Sequence, residues 1–286
     1  QLRYFQTAAY YQHISRAAEE LNISQPALST MISRLEKELG VPLFDHNGRS
    51  IILNQNGQRF LQRVNHILME VENSKRELQD IADEGDNSIS LAVSSSQFLQ
   101  GMHAFMYQHP NYKWNQRVAE NKEIAALLNR GQIDLAVTSP GIYGEVFEST
   151  LLLRDIFKLA VHKDNPLAQR KSVRLEELTD QRFIMLLKGL PFRAQTDRIF
   201  ADLGITPHYI MECDHLLRRE LINANAGVTI ASQSASFRHL FSENIRFLDI
   251  EDVHHTRDIV MVHRKGRYLN RASRQFADFL KQKFSP

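Results

Sequence analysis

The sequence predicts an α/β chain that opens with a winged helix-turn-helix and runs through one long helix into a larger α/β region. Three observations carry this. Residues 14–39 read as a short helix, a turn of about three residues and an amphipathic helix, followed by a hairpin signal. Residues 58–84 form a single unbroken amphipathic pattern. Beyond the polar break "ADEGDN" at 82–87, continuous apolar runs alternate with helical patterns.

In the first region Leu28, Met31, Ile32, Leu35 and Leu39 fall on one side of a helical wheel and form a core stripe. Pro26, Ser29, Thr30, Ser33, Arg34 and Lys37 fall on the other. Ser24 is suited to cap this helix, and Pro26 is tolerated in the first turn, where its missing amide would have no partner. The helix is therefore expected to start near Gln25. Upstream, "ISRAAEELN" supplies a shorter helix in which Ala17 and Ala18 permit close packing. Downstream, Asn47-Gly48 stands between two apolar strands in "LFDHNGRSIIL", placing Arg49 at the tip of a wing. In such a unit the second helix enters the major groove by its N-terminal end, where short side chains let the backbone approach and free amides favour phosphate. Gln25 suits adenine, and Ser and Thr bond several bases. Arg3, Arg16, Arg34, Lys37 and Arg49 are candidates for phosphate or minor-groove contact. A solvated helix in a protein-binding module is the alternative reading. Charge does not separate the two, because residues 1–57 carry five basic residues (those just named) against Glu19, Glu20, Glu36, Glu38 and Asp45.

In the second region Phe60, Val64, Ile67, Val71, Ser74, Leu78 and Ile81 step alternately by four and three, a heptad seam in which only Ser74 is polar. Such a stripe either lies on its own domain or pairs between subunits. Pairing is the expectation, because an unpartnered seam would be exposed.

In the third region "SISLAV", "IDLAVT", "IFKLAV", "FIMLL", "GVTIAS" and "DIVMVH" suit strands buried on both faces of parallel sheets. Ligands are then expected at the carboxyl ends of the strands. "RGQIDLAVTS" and "NAGVTIASQS" echo each other, either as ordinary βα grammar or as two similar lobes; "KDNPLA" (163–168) and "RKGRYLN" (264–270) are the candidate crossings.

Composition narrows the function. The 286 residues suffice for two or three compact units, and a formal charge of +2 requires any basic surface to be local. The single cysteine, Cys213, excludes an internal disulfide. No run approaches the roughly 18 apolar residues of a membrane span, and the start lacks a basic, then apolar leader, so a cytoplasmic location without membrane attachment is expected. The chain opens on Gln rather than Met, and a few native residues are expected in front. No catalytic constellation, cofactor motif or metal-ligand spacing is present: His254 and His255, adjacent on a strand, point to opposite faces and read as surface residues.

The stretch "SRAAEELNISQPALSTMISRLEKELGVPLFDHNGRSIILNQNG" resembles the N-terminal domain of LysR-type transcriptional regulators, with the pattern "RAAExLxxSQPALSxxIxxLExxLGxxLF" and the wing "GR" in place. The resemblance implies residues 1–57 as DNA-binding domain, 58–84 as dimerisation helix and 88–286 as a bilobed, periplasmic-binding-protein-like effector domain. Its lobes are expected at about 88–162 with 265–286, and at about 163–264. Carried over, the family's DNA contacts fall on Gln25, Pro26, Ser29 and Arg49. Thr30 departs, standing where relatives often have Arg, and "LNQNG" replaces the usual "LTxAG", with Asn54 as substitute helix cap. The resemblance also implies a homodimer or homotetramer on double-stranded operator DNA, and a small-molecule effector that alters DNA bending and contact with RNA polymerase.

For the effector, strand ends on the two lobes are expected to converge. Ser94, Ser95 and Ser96 open a helix through "FLQGMHAFM" and offer hydroxyls and amides to an anion, or serve as ordinary caps. Thr138 and Ser139 end a strand on the same cleft. Phe192 and Arg193 lie where related regulators often place ligand contacts; Arg193 reads either as partner of an effector carboxylate or as a surface cation. Thr229 adds a hydroxyl or packs. Cys213 reads as a buried thiol. The tail carries Arg264, Lys265, Arg267, Arg271, Arg274, Lys281 and Lys283 against Asp278, a solvated face or an oligomer contact, while its helix buries Phe276, Phe279 and Leu280.

Overall fold

The computed structural model describes residues 1–47, 50–82, 87–99, 101–232 and 241–284. The chain divides into two compact units. One holds Gln1–Asp86 with the segments Asn129–Gln132 and Gly266–Arg271, and the other holds the remainder.

The first unit comprises helices α1 (Leu2–Tyr11), α2 (Ile14–Glu20) and α3 (Gln25–Leu39), the antiparallel hairpin β1 (Phe44–Asn47) and β2 (Ser50–Leu53), and α4 (Gln55–Ile81). Asn47 pairs with Ser50, and the expected wing residue Arg49, with Gly48, lies outside the described residues. The core gathers Phe5, Ala8, Ala17, Leu28, Leu43 and Val64. Ser24 caps α3 by accepting from the Ala27 amide (3.4 Å), and Gly40, at φ 73°, ends it in the left-handed region glycine tolerates. Leu39, expected in the core stripe, is exposed instead, because it sits in the last turn beyond the hydrophobic cluster.

Helix α4 starts three residues earlier than the periodicity indicates. Asn54 Oδ1 accepts from the Gly57 amide (2.9 Å) while its Nδ2 donates to Pro42 O (3.0 Å), tying cap to hairpin. Gly57 is required here, since a Cβ would lie 2.1 Å from Leu43 O. The seam along α4 divides. Val64 has no exposed surface and Phe60 packs on Phe5 at 5.0 Å, so these two residues serve the unit's own core and not an intersubunit seam. From Ile67 onward the stripe is open, from 46% exposed at Ile67 to 74% at Ile81. Asn73, by contrast, is buried: it donates to Gly266 O (2.7 Å) and accepts from the Tyr268 amide (2.9 Å), holding that segment in the first unit.

The second unit has strands β3 (Ser88–Val93), β4 (Lys113–Val118), β5 (Leu135–Thr138), β6 (Phe147–His162), β7 (Ser172–Val173), β8 (Phe183–Leu186), β9 (Tyr209–Cys213), β10 (Thr229–Ser232), β11 (Ile245–Ile250) and β12 (Thr256–Arg264). Helices α5 (His103–Gln108), α6 (Asn121–Asn129), α7 (Pro191–Asp202), α8 (His215–Asn223) and α9 (Arg271–Phe284) connect or cover them. The main sheet runs β4-β3-β5-β12-β6-β11-β7, with β10 also on β6, and β8 pairs with β9. As expected, β3 is parallel to β4 and β5, and β8 to β9. The long strands depart from that expectation, for β6 runs antiparallel to β12, β10 and β11.

The lobe crossings also lie elsewhere than at 163–168 and 264–270. β6 pairs with β12 as far as Ile156, with β10 from Phe157 and with β11 from Lys158, so the chain changes lobe inside a strand and returns at the start of β12. An uninterrupted apolar run carries no mark of where it changes neighbours. The helix expected through "FLQGMHAFM" is split into a 3-10 turn at Ser96–Leu99 and α5, with Gly101 at φ 77° after the turn. In the tail, α9 buries Phe276 and Leu280, while Arg264 and Arg267 are buried rather than part of a solvated face.

Candidate nucleic-acid interface and ligand pocket

Helix α3 presents two unlike sides. Leu28, Ile32 and Leu35 are buried, and Gln25, Pro26, Ser29, Thr30, Ser33, Arg34 and Lys37 are all exposed. Its first turn contains no acid. Glu36, one of the acids of this helix, is spent internally: its Oε1 accepts from the amides of Leu43 (2.7 Å) and Phe44 (3.2 Å) and fixes the hairpin to the helix. The leading face thus combines short hydroxyl side chains and a cation at the positive end of the helix dipole, a surface able to approach a polyanion closely.

In the second unit a cavity of about 160 Å³ opens between the lobes, lined by Ser96, Gln97, Phe192, His215, Leu216, Arg218, Arg219, Ser232, Phe241 and Arg257. A smaller recess of about 110 Å³ shares Ser96, Gln97, Phe192, His215 and Arg257 with it and adds Ser94, Ser95 and Ser139. A more open cleft of about 540 Å³ also reaches Ser139 and Arg257. Of these three, only the 160 Å³ cavity is lined by both buried arginines, Arg218 and Arg257.

Two family models cover these regions: "Bacterial regulatory helix-turn-helix protein, lysR family" matches residues 1–58, and "LysR substrate binding domain" matches residues 83–285. The uncharacterized HTH-type transcriptional regulator YybE of Bacillus subtilis is 31% identical over all of this chain and 98% of its own length. The chain belongs to the LysR family. It is a DNA-binding transcriptional regulator, and its homologues are regulators rather than enzymes. Full-length CbnR complexed with its target DNA matches at TM-score 0.57 and 21% identity, over 100% of this chain and 99% of that one. Peroxide-bound mutant OxyR of Corynebacterium glutamicum matches at 0.57 and 24%, over 99% and 91%. At these identities both likenesses concern the fold.

Of the expected pocket residues, this LysR-type chain brings Ser94, Ser95, Ser96, Ser139 and Phe192 to the interlobe walls. Ser94 is an internal strut whose Oγ accepts from the Ser139 amide (3.0 Å), and Ser95 Oγ caps the 3-10 turn at the Gln97 amide (3.4 Å). Ser139 is 2% exposed and its Oγ has no hydrogen-bond partner among the described residues. Thr138 is wholly buried and Thr229 packs inside the second lobe; neither lines the cavity. Arg193 is a correction to both sequence readings. It is neither a ligand contact nor a surface cation, but is 3% exposed, donates from Nε to Asp197 Oδ1 (2.6 Å) and from Nη1 to Leu186 O (2.5 Å), and pairs with Glu212 Oε1 at 2.9 Å. Cys213 is buried, and burial pushes its thiol up.

The cations on the wall were missed. Arg218 of α8 donates to Ile230 O (3.2 Å) and lies 5.5 Å from the Phe192 ring, and Arg257 of β12 lies 4.7 Å from the same ring and pairs with Asp155. Burial lowers Arg218 to about 10 and depresses Arg257, each opposed or reinforced by its neighbours. Burial, with Arg218 and Arg257 nearby, takes His215 to about 4, so it is neutral at pH 7. Local sequence carried little sign of either arginine: Leu216 and Leu217 beside Arg218 are exposed, and in β12 Val260 and Val262 are buried as well as Ile259 and Met261, so alternation does not single out Arg257. Among the described residues no cluster of His, Cys, Asp or Glu could hold a metal, and no helix is long and apolar enough to cross a membrane.

Proposed function

We propose that the chain acts in the cytoplasm as an effector-responsive regulator, binding double-stranded operator DNA as a homodimer or homotetramer. A small anionic molecule held between the lobes then alters its engagement with DNA and RNA polymerase. The observation that carries this reading is the pair of buried guanidiniums, Arg218 and Arg257, on the wall of an interlobe cavity. Buried cations require compensation, and a cavity that exposes them to a ligand favours an anion. DNA contact is assigned to Gln25, Pro26, Ser29, Thr30, Ser33 and Arg34 on α3, together with the wing residue Arg49. Subunit pairing is assigned to Ile67, Val71, Leu78 and Ile81, the open part of the α4 stripe. An effector changes the output only through unequal affinity for two arrangements of the oligomer.

Operator binding followed by fluorescence anisotropy across a salt series tests the reading. Affinity is expected to fall steeply with salt, as phosphate contacts require. Thr30→Glu should weaken it at least tenfold, ~1.4 kcal/mol. Val71→Glu should reduce the mass measured by light scattering and weaken operator affinity with it. Binding that ignores both salt and operator sequence would overturn the proposal, and so would operator occupancy unresponsive to every small molecule in a cell extract.

A further inference from the structure

The charges around the cavity do not balance. Among the described residues, three strongly charged side chains are at least nine-tenths buried beside it: Arg218, Arg257 and Asp155. Asp155 Oδ2 lies 3.3 Å from Arg257 Nε and also accepts from the Ser232 hydroxyl, so the one carboxylate is committed to Arg257. For Arg218 the bonds are of another kind: a carbonyl, Ile230 O, and the face of Phe192. Its Nε has no hydrogen-bond partner among the described residues. Neither a carbonyl nor a ring neutralises a guanidinium, and an uncompensated buried cation costs several kcal/mol, of the order given for buried ions generally. On these walls His215 Nδ1 and Ser139 Oγ also have no hydrogen-bond partner among the described residues. Arg219 is only partly buried and keeps access to water.

Resting on the effector reading above, we propose that Arg218 is the receptor for the effector's charge and that the effector carries a single monoanionic head group, a carboxylate, on a compact body. One unbalanced positive charge calls for one negative charge; a dianion would bring a second that no further buried cation among the described residues is placed to meet. The fork of the guanidinium matches the two oxygens of a carboxylate. Because both Arg218 and Arg257 lie within 5.5 Å of the Phe192 ring centroid, the head group is received beside that ring. Size follows from the cavity: 160 Å³ is close to the ~150 Å³ that accommodates benzene, so roughly six to ten non-hydrogen atoms fit. The neutral imidazole of His215 and the Ser139 hydroxyl are left for polar groups on the body.

The test uses the full chain and matched probes at constant ionic strength, read by thermal unfolding: butyrate against butyramide, benzoate against benzamide, then succinate and sulfate. The monocarboxylates should raise the melting temperature, and their neutral amides, succinate and sulfate should not. Arg218→Met should melt no lower than the parent without ligand and should lose the carboxylate shift. Arg174→Met, a surface control, should keep it. Amides that match their acids would overturn the charge assignment while leaving a small-molecule pocket in place. Larger shifts from succinate or sulfate, or a shift retained in Arg218→Met, would also overturn it. If Arg218→Met fails to fold, the paired probes on the parent decide. Absence of any shift overturns the carboxylate assignment, and the effector reading then stands or falls on the operator assay alone.

Discussion

Arg193 and Arg218 sit on successive helices of the same lobe, both nearly without exposed surface, and they do opposite things. Arg193 meets two carboxylates and a carbonyl from the chain itself. Burial pulls its guanidinium down, but Asp197 and Glu212 together outweigh that and hold it above its ordinary value. Desolvation is the largest single influence on this guanidinium, yet two partly exposed carboxylates together exceed it. Arg218 is deeper, meets no carboxylate in the described contacts, and is pushed down to about 10. A buried arginine is structural when the fold brings its counter-charge and receptive when it does not. Neither its residue type nor its burial tells which.

The largest effect that would break this comparison is at Arg193. Arg193→Met removes the cation, leaves Leu186 O without that donor and leaves two carboxylates unpaired. Because both carboxylates retain some access to water, the cost should fall near the lower end for a broken buried pair, about 3 kcal/mol. A shift of the urea midpoint measures it. Arg193→Lys should not restore the loss, since an ammonium lacks the planar fork that reaches all three partners. A variant as stable as the parent would mean that the pairs do not hold α7 to β8 and β9.

The same contrast explains what was legible in the sequence. Helix α3 is defined by neighbours a few residues apart: a cap at Ser24, an apolar stripe at Leu28, Ile32 and Leu35, a glycine at its end. Each signal is local, and the helix and its exposed face could be placed from it. The pocket depends on separate strands and helices meeting. Ser94 and Ser139 were found because they end strands, but Phe192 adjoins an arginine that turns inward to Asp197, while Arg218 lay hidden in "HLLRREL". There the apolar Leu216 and Leu217 are exposed and the arginine is buried, the reverse of the usual pattern. The heptad stripe misled for a related reason, since spacing alone does not say that Val64 faces its own core and Leu78 faces outward.

A smaller effect sharpens the comparison at a neutral group whose partners are likewise internal. Asn54→Ala removes both the cap to the Gly57 amide and the bond to Pro42 O, and should cost about 1 kcal/mol, as N-cap losses generally do. Asn54→Asp keeps the acceptor for Gly57 but loses the donor to Pro42 O, so it should recover part of that loss. Denaturant midpoints of the two variants check the order; equal losses would assign the effect to the Pro42 bond.

The smallest expected effect is at the exposed extreme, where Arg154 holds Asp258 by a two-point contact of 2.9 and 3.1 Å in the open. The hydrogen bonds from Arg154 hold the Asp258 carboxyl below its ordinary value, against a weaker opposing pull from burial. The folded pKa is thus lower than the unfolded one. The pair's contribution is complete above the unfolded carboxylate value, about 3.9, and is lost as pH falls through the folded value, where the carboxyl protonates in both states. Parent and Asp258→Asn should therefore differ slightly near neutrality, less in high salt, and converge at acid pH. Arg218, with no carboxylate partner among the described residues, should show no such acid dependence until a carboxylate ligand is bound. A parent-variant difference that persists unchanged at low pH would mean that Asp258 acts through packing, and that at the exposed end of the series charge contributes nothing.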